Sequence, residues 1–316
     1  MSISSEPAVR CSVVIPSYNR LNVLPRAVES VLAQDEPDFE LIIVDDGSSD
    51  GTAAWLASLT DPRIRVISSE RNRGVSAARN LGLAAARAPV VAFLDSDDAY
   101  RPQRLRRVLE VIDVEPDVVC TLSSSIKQVR DENRTNLVPD VKLTPAAFEW
   151  ALYCDLIGVD GSGITVRTQA ARDVGGFCEK LRRTEDREFL IRLAPRGAVR
   201  LLPDVLWEKS WTLDSESNEW KGAGRDLIAY FAQRPEYTSR FRKLASYHAT
   251  KILVADLRRR DLKTFLADFK SFRQIGLLHG GLARIWGDHR EVRHYRRTMS
   301  NRDALAQLAG APAEWA

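Results

Sequence analysis

The stretch Val90-Val91-Ala92-Phe93-Leu94-Asp95-Ser96-Asp97-Asp98 carries the strongest structural signal in this sequence. Its first five residues are apolar, which predicts a strand buried on both faces of a sheet. Carboxylates at alternate positions follow directly, and carboxylates this close repel one another unless a cation or hydrogen bonds compensate. A hard divalent ion carrying a diphosphate would compensate them, because Mg²⁺ and Mn²⁺ favour oxygen ligands. A polar turn or helix cap after the strand is the alternative interpretation.

Outward from this stretch, short apolar strands alternate with segments whose apolar residues recur at helical spacing. Further strands are predicted over 11–16, 39–44 and 63–68. The order β-α-β-α-β-α-β predicts an α/β fold with a mostly parallel central sheet and helices on both faces. Ligands bind such sheets at the carboxyl ends of the strands. We therefore expect the polar clusters at 16–19, 45–48 and 95–98 to converge on one rim.

Composition is that of a soluble globular protein, with 44% hydrophobic and 28% charged residues among 316. The sequence has no apolar run long enough for a transmembrane helix, and its first ten residues lack the apolar core of a secretion signal. Its four cysteines are scattered, which indicates reduced thiols rather than a zinc site. These features predict a cytoplasmic protein.

Charge is distributed unevenly along the chain. Residues 241–300 contain 14 Lys and Arg against 5 Asp and Glu, and they also contain all four histidines. Any acid–base chemistry in the first 240 residues must therefore come from carboxylates or another group. The apolar spacing after residue 226 predicts basic amphipathic helices. Such helices lie on anionic membrane surfaces or form the solvated outer face of a packed domain, and both interpretations stay open.

Five motifs occur in a recognisable order along the chain. They are Ile15-Pro16-Ser17-Tyr18-Asn19, Val44-Asp45-Asp46-Gly47-Ser48, Ala78-Arg79-Asn80, Asp95-Ser96-Asp97-Asp98, and Gly175-Gly176-Phe177 ahead of Glu185-Asp186. In this order they resemble the family 2 glycosyltransferases over about residues 10–215. The resemblance implies a GT-A (Rossmann-like) catalytic domain over 1–215, followed by a basic helical region over 216–316. Residues 127–142 are polar and predict a loop.

The resemblance also implies the donor and metal sites. Pro16, Tyr18 and Asp46 are expected to hold the nucleotide base, and an aromatic face and a carboxylate suit stacking and an imide N–H. Arg73 and Arg79 are expected at the donor phosphates or ribose, because guanidinium groups suit such oxygens. The remaining residues expected at the nucleotide sugar are Asn19, Asp45, Asp95 and Ser96. The expected ligands of Mg²⁺ or Mn²⁺ are Asp97 and Asp95.

By the same resemblance, Asp186 deprotonates the acceptor hydroxyl and Glu185 belongs to the catalytic pair. Two acids at a helix N-terminus, favoured by the helix dipole, are the alternative. Trp211 stands where the family often has a histidine that completes the metal site, and an indole cannot ligate a metal. Glu208 or Asp214 are then candidate substitutes, and Lys209 is a candidate partner for the diphosphate.

The expected function is inverting transfer of a sugar from a nucleotide-diphosphate sugar, with UDP as the expected nucleotide, to a hydroxyl acceptor in cell-surface polysaccharide or glycolipid synthesis. The acceptor is expected to be a glycan, a lipid-linked molecule or a peptide. Transfer to a protein or peptide is the alternative enzyme activity. A basic protein that binds nucleic acid or a membrane surface is the non-enzyme alternative, although no nucleic-acid partner is expected. Peripheral contact with the inner face of the membrane through the C-terminal helices is a further expectation.

Overall fold

The computed structural model describes most of the chain. The described residues are 9–129, 132–153, 156–210, 225, 227–230, 232–234, 238–277, 283, 286–287, 289–290 and 293–294.

The first half of the fold alternates strands and helices in the predicted order. The elements are β1 (Cys11–Ser17), α1 (Leu24–Leu32), β2 (Phe39–Asp45), α2 (Thr52–Ala57), β3 (Ile64–Ser68), α3 (Val75–Ala85) and β4 (Val90–Phe93). Pro25 at the start of α1 suits a first helical turn, where its missing N–H has no intrahelical partner to lose.

The second half adds shorter helices and returning strands. The elements are β5 (Ala99–Tyr100), α4 (Arg104–Val114), β6 (Val118–Val129), β7 (Glu132–Asn136), β8 (Val141–Leu143), α5 (Pro145–Tyr153), β9 (Ile164–Arg167), α6 (Thr168–Asp173), α7 (Glu185–Leu193), β10 (Ala198–Lys209), α8 (Thr238–Arg258) and α9 (Leu262–Gln274).

One central sheet organises the molecule, with strand order β3-β2-β1-β4-β9-β6-β10-β5. Its first four strands are parallel to their neighbours, which confirms the α/β class. Beyond them the sheet is mixed, because β9 runs antiparallel to both β4 and β6. The expected loop over 127–142 is wrong: β6 and β7 form an antiparallel hairpin, in which Ser125 pairs with Asn136, and β8 joins β10. Polar side chains suit strands at a solvated sheet edge, so polarity alone does not indicate a loop.

The parallel strands are buried on both faces. Val14 belongs to one hydrophobic cluster, whereas Val13 and Ile15 belong to another on the opposite face, as the alternation of side chains along a strand requires. The C-terminal helices pack on the first of these clusters, to which Ala249 of α8 and Phe272 of α9 contribute. The predicted division at residues 215 and 216 is not marked by a separate core and stays a prediction. No helix in the described part of the chain is both long and apolar enough to cross the bilayer.

We expect Gly82→Val to destabilise the fold. Gly82 lies in α3 against β1, and a Cβ there would lie 3.0 Å from Val14 Cγ2 and closer still to Cγ1. Overpacking of this kind costs about 1–3 kcal/mol. Chemical unfolding should show this loss of free energy, and adding Val14→Ala, which makes room for the new side chain, should restore part of it.

Ala84→Val is the matched control, because Ala84 is exposed on the same helix. It should cost only the helix propensity of valine, below about 0.7 kcal/mol. Equal stability of the two valine variants would contradict the packing described for α3.

Candidate active site

A cavity of about 1010 Å³ opens at the carboxyl ends of the parallel strands. Segments that are far apart in the chain meet around it, as the strand order predicts. Ten of the twelve residues expected at the site line it, namely Pro16, Tyr18, Asp46, Arg73, Arg79, Asp95, Ser96, Asp97, Glu185 and Asp186. The other two, Asn19 and Asp45, are not among its lining residues.

Asn19 and Asp45 join the loops that follow β1 and β2. The Asn19 backbone N–H donates to Ser48 Oγ at 2.8 Å, and the Ser49 N–H donates to Asn19 Oδ1 at 2.7 Å. Asp45 Oδ1 accepts from the Ser48 N–H at 3.1 Å. These contacts shape the rim behind the cavity, while direct contact of either side chain with a donor stays a prediction.

Asp46 has one occupied and one unoccupied carboxylate oxygen. Its Oδ2 accepts from the backbone N–H groups of Arg73 at 2.8 Å and Gly74 at 2.7 Å. Its Oδ1 is buried and has no hydrogen-bond partner among the described residues. Buried oxygens are nearly always paired, so an acceptor of this kind in a cavity wall indicates a place for a ligand's donor group.

The three aspartates in the turn after β4 differ in burial. Asp98 is 2% exposed, and its oxygens accept from Ser162 Oγ at 2.6 Å and the Ser210 N–H at 3.1 Å. Ser162 Oγ in turn accepts from the Asp95 N–H at 3.0 Å. Burial, with the neighbouring charges of Asp95 and Asp97, raises the pKa of Asp98. Asp98 therefore fixes the turn, while Asp95 and Asp97 are partly exposed and line the cavity.

Arg79 connects the two acidic parts of the cavity. Its Nη1 donates to Glu185 Oε1 at 2.9 Å and Asp186 Oδ1 at 2.8 Å, and its Nη2 donates to Asp95 Oδ1 at 2.6 Å. The Arg79 side chain is only 2% exposed. Both terminal nitrogens donate to carboxylates, so Arg79 positions these acids, while its contact with the donor phosphates or ribose stays a prediction.

The surroundings of Arg79 are built for this contact. A Cβ on Gly161 would lie 3.0 Å from Arg79 Cζ and 3.2 Å from Asp95 Oδ1, so only glycine leaves room for the ion pair. The guanidinium lies 5.1 Å from the centre of the Phe177 ring. The Asn80 amide fixes Phe177 in turn, since its Oδ1 accepts from the Phe177 N–H at 2.7 Å and its Nδ2 donates to the Phe177 carbonyl at 2.9 Å.

Burial controls protonation around Arg79. Burial raises the pKa of Asp186 and of Glu185 above their ordinary values, and the positive charge of Arg79 opposes it in both cases. For Arg79, burial lowers the pKa, but the charges of Asp186, Asp95 and Glu185 outweigh it and raise the pKa overall. The guanidinium therefore stays charged, whereas the acids retain an increased affinity for protons.

Glu185 and Asp186 begin α7, directly after Thr184, whose φ of 62° is strained for a β-branched residue. A helix N-terminus does favour acids, as the alternative interpretation holds. Their ion pairs with Arg79 across more than a hundred residues show a second role, because the helix dipole requires no such partner.

Comparison with known proteins gives a family for the segment that carries Asp46, Arg79, Asp95 and Asp97. The family model described as glycosyl transferase family 2 matches residues 12–166. Residues 12–166, about half of the chain, therefore form a glycosyl transferase family 2 domain. The resemblance of the sequence motifs to this family is therefore confirmed.

Several relatives of this glycosyltransferase illustrate the match. The succinoglycan biosynthesis protein ExoO of Rhizobium meliloti is 49% identical over 100 residues, which are 32% of this chain and 29% of ExoO. A glycosyltransferase of Haemophilus influenzae is 26% identical over 84% of this chain and 91% of its own. The structure of S. aureus TarS 1–349 with UDP-GlcNAc has a TM-score of 0.60 at 17% identity, covering 84% of this chain and 92% of that one. At that identity the likeness concerns the fold, and it confirms the GT-A fold.

The carboxylate oxygens in the cavity of this glycosyltransferase suit a hard divalent cation. Asp97 and Asp95 supply carboxylate oxygens at the cavity, which Mg²⁺ and Mn²⁺ prefer. No group of three or more His, Cys, Asp or Glu side chains in the described part of the chain could hold a metal by itself. A cation there would thus depend on water and phosphate oxygens for its other ligands, as Mg²⁺ commonly does.

Of the residues suggested in place of the family's histidine, Lys209 lines the cavity and Glu208 does not. Glu208 pairs with Arg26 at 2.9 Å and with Arg101 at 2.8 Å and is not among the cavity-lining residues. Lys209 lines the cavity and pairs there with Asp160. Trp211 and Asp214 lie outside the described residues.

Sequence reasoning missed several residues of the site. Asp160, Ser162 and Asp98 were given no role, although the short Gly-Ser-Gly turn at 161–163 signalled a close backbone approach. Leu227 and His248 of the C-terminal region also line the cavity, and no pattern in the sequence pointed to this contact.

We expect Arg79→Met to destabilise the protein at neutral pH, by about 3–5 kcal/mol, because removing one partner of a buried ion pair leaves uncompensated charge. Glu185 and Asp186 would then have folded-state pKa values further above those of the unfolded chain. Such groups favour folding below the unfolded pKa and oppose it as pH rises. The deficit should therefore shrink as the pH is lowered towards 4, in denaturant unfolding measured across this range.

Arg106→Met is the control, since Arg106 pairs with Asp35 and Glu110 on the exposed surface of α4. Exposed pairs contribute little, so this variant should unfold like the wild type. A pH-independent loss in Arg79→Met would contradict the charge-based role given to Arg79.

Proposed function

We propose that this protein is an inverting glycosyltransferase that moves a sugar from a UDP-sugar to a hydroxyl acceptor in the synthesis of a cell-surface polysaccharide or glycolipid. The observation that carries the proposal is the convergence of Asp46, Asp95, Asp97 and Asp186 on one cavity. These four acids come from three distant segments of the chain, and each suits a different part of a nucleotide sugar and its acceptor. The predicted cytoplasmic location is kept with this proposal.

The Asp46 end of the cavity suits the nucleotide base. The unpartnered Asp46 Oδ1 is an acceptor for the imide N–H of uracil, and Tyr18, which is 42% exposed, offers an aromatic face for stacking. The TarS structure contains UDP-GlcNAc on a similar fold, which supports a UDP-sugar. Arg73 also lines this end, and its guanidinium is half exposed beside Glu179 at 3.2 Å.

The centre of the cavity suits the diphosphate. Asp97 and Asp95 would hold a divalent cation, whose charge would offset that of the departing diphosphate. Lys209 adds a second positive charge at the same wall. Burial lowers the pKa of Lys209, but the charge of Asp160 outweighs it and raises the pKa, so the amine is held as a cation.

Asp186 is the proposed base. In direct displacement the acceptor oxygen bonds to the anomeric carbon, the bond from that carbon to the diphosphate oxygen breaks, and the hydroxyl proton passes to the Asp186 carboxylate. General bases work best when their pKa lies near the working pH, and burial raises the pKa of Asp186 in that direction. Arg79 holds the Asp186 carboxylate at 2.8 Å and so fixes its orientation towards the cavity.

The acceptor class is proposed from the relatives. ExoO is described as a succinoglycan biosynthesis protein, which favours a polysaccharide or a glycolipid precursor over a peptide acceptor. No contact in the described part of the structure favours a peptide, so transfer to protein is an outcome that the experiment below distinguishes.

We expect UDP release when the protein is incubated with UDP-sugars, Mn²⁺ or Mg²⁺, and glycan or glycolipid acceptors. GDP- and dTDP-sugars and a peptide acceptor should give little release. Asp186→Asn should reduce turnover by at least a thousandfold, because an amide cannot take the proton, while UDP binding measured by calorimetry stays near the wild-type value. The wild-type rate should fall as the pH is lowered through the pKa of the base.

Asp173→Asn, a change of the same chemistry on α6, is the matched control and should keep full turnover. Normal turnover in Asp186→Asn would overturn the assignment of the base. Release from GDP- or dTDP-sugars alone would overturn the assignment of the donor.

We expect two separable defects in UDP binding. Asp97→Ala should abolish the gain in UDP affinity that Mn²⁺ provides and leave metal-free binding near the wild-type value, because it removes a metal ligand. Asp46→Ala should weaken binding about equally with and without Mn²⁺, because it removes the acceptor for the base. Calorimetric titration of UDP into each variant measures both effects, and identical defects in the two variants would contradict the separate roles.

A further inference from the structure

The turn between α8 and α9 exposes leucines among basic residues. Leu257 is 50% exposed, and Leu262 and Leu266 are each 63% exposed. Six exposed cations surround them, namely Arg258, Arg259, Arg260, Lys263, Lys270 and Arg273. These nine residues are called the basic leucine surface below.

The surface follows from how α9 packs. Phe272 is 2% exposed, and Phe265 and Phe269 pack against the same hydrophobic cluster. Leu262 and Leu266, one turn apart, lie on another face of the helix that this cluster does not cover. The helix thus buries Phe272, half-buries Phe265 and Phe269, and exposes its leucines, an arrangement that the burial of apolar area within this chain does not explain.

On α8 and α9 two of the acids are buried, whereas the cations of the basic leucine surface are exposed. The acid Asp268 is buried and pairs with Arg225 at 2.5 Å, and Asp256 is also buried. None of the six cations of the basic leucine surface forms an ion pair with another described residue. Asp261 is the acid within the surface, and its Oδ1 accepts from the Thr264 N–H at 3.0 Å as a helix cap. The surface is therefore strongly positive and apolar at once.

We propose that the basic leucine surface docks on an anionic lipid bilayer. Lysine and arginine near a bilayer are attracted to anionic headgroups, and leucines between them can enter the boundary between headgroups and acyl chains. Nucleic acid would engage the cations but would leave the leucines exposed to water. A second copy of this chain would bring two sets of six like charges together, which disfavours self-association through this surface.

Docking also places the active site near the bilayer. His248 lines the cavity, and Arg258 ends the same helix ten residues later, or ~15 Å along the axis. This consequence rests on the proposed function: an acceptor carried on a membrane lipid would meet the cavity without leaving the bilayer. Binding to lipid does not depend on catalysis, so the two proposals fail separately.

Vesicle flotation with the full chain tests the docking. The wild type should float with vesicles of equimolar phosphatidylcholine and phosphatidylglycerol, should not float with phosphatidylcholine alone, and should be released by added salt. Leu262→Gln with Leu266→Gln should lower partitioning at least tenfold. A triple change of Arg258, Arg259 and Arg260 to glutamine should do the same.

The control is Arg106→Gln, an exposed arginine of α4 that pairs with Asp35 and Glu110, and it should float like the wild type. All variants should keep wild-type UDP binding and unfolding midpoints, since the changed side chains are exposed. Absence of flotation of the wild type, or unchanged flotation of the leucine variant, would overturn the proposal. Binding to a DNA duplex that the leucine changes do not weaken, without flotation, would show a nucleic-acid surface instead.

Discussion

One buried cation organises the acidic side chains at the centre of this protein. Arg79 donates to Asp95, Glu185 and Asp186, which come from two segments about ninety residues apart. Without it these largely buried carboxylates would repel one another. Burial raises the pKa values of Glu185 and Asp186, and the single charge of Arg79 does not offset that effect. The site is therefore prepared for further positive charge, which a cation bound with a diphosphate would bring.

Small residues make this arrangement possible. Gly161 leaves room beside Arg79, and Gly176, at φ 67°, packs so closely against Asn80 that a side chain there would collide with its amide. The motifs Ala78-Arg79-Asn80 and Gly175-Gly176-Phe177 are thus two halves of one contact. About a hundred residues of strands and helices separate the two motifs in the sequence. In the fold they meet, because the Asn80 amide binds the Phe177 backbone.

The sequence predicted the parts of the fold that depend on local patterns. Apolar strands alternating with helices indicated β1 to β4, and the polar clusters at their ends indicated the cavity, because the topology of parallel strands fixes where those ends meet. It did not predict the antiparallel insertion of β9 between β4 and β6, or the hairpin of β6 and β7, since both depend on pairing between distant segments. For the same reason, the partners of Arg79 could not be predicted.

The C-terminal helices show the same limit. The spacing of Leu262, Phe265, Leu266, Phe269 and Phe272 predicted an amphipathic helix, but leucine and phenylalanine lie so close on it that the pattern does not say which are buried. The structure turns the aromatic residues inwards. Full burial of a leucine stabilises a fold by about 1.5–3 kcal/mol. Leu262 and Leu266 are exposed among unpaired cations and do not contribute this free energy to folding. Acidic side chains of the cavity wall lie among nearly as many cationic ones, whereas the cations of the basic leucine surface have no described ion-pair partner. In a chain of net charge +3, that outer surface is therefore the place that favours an anionic partner.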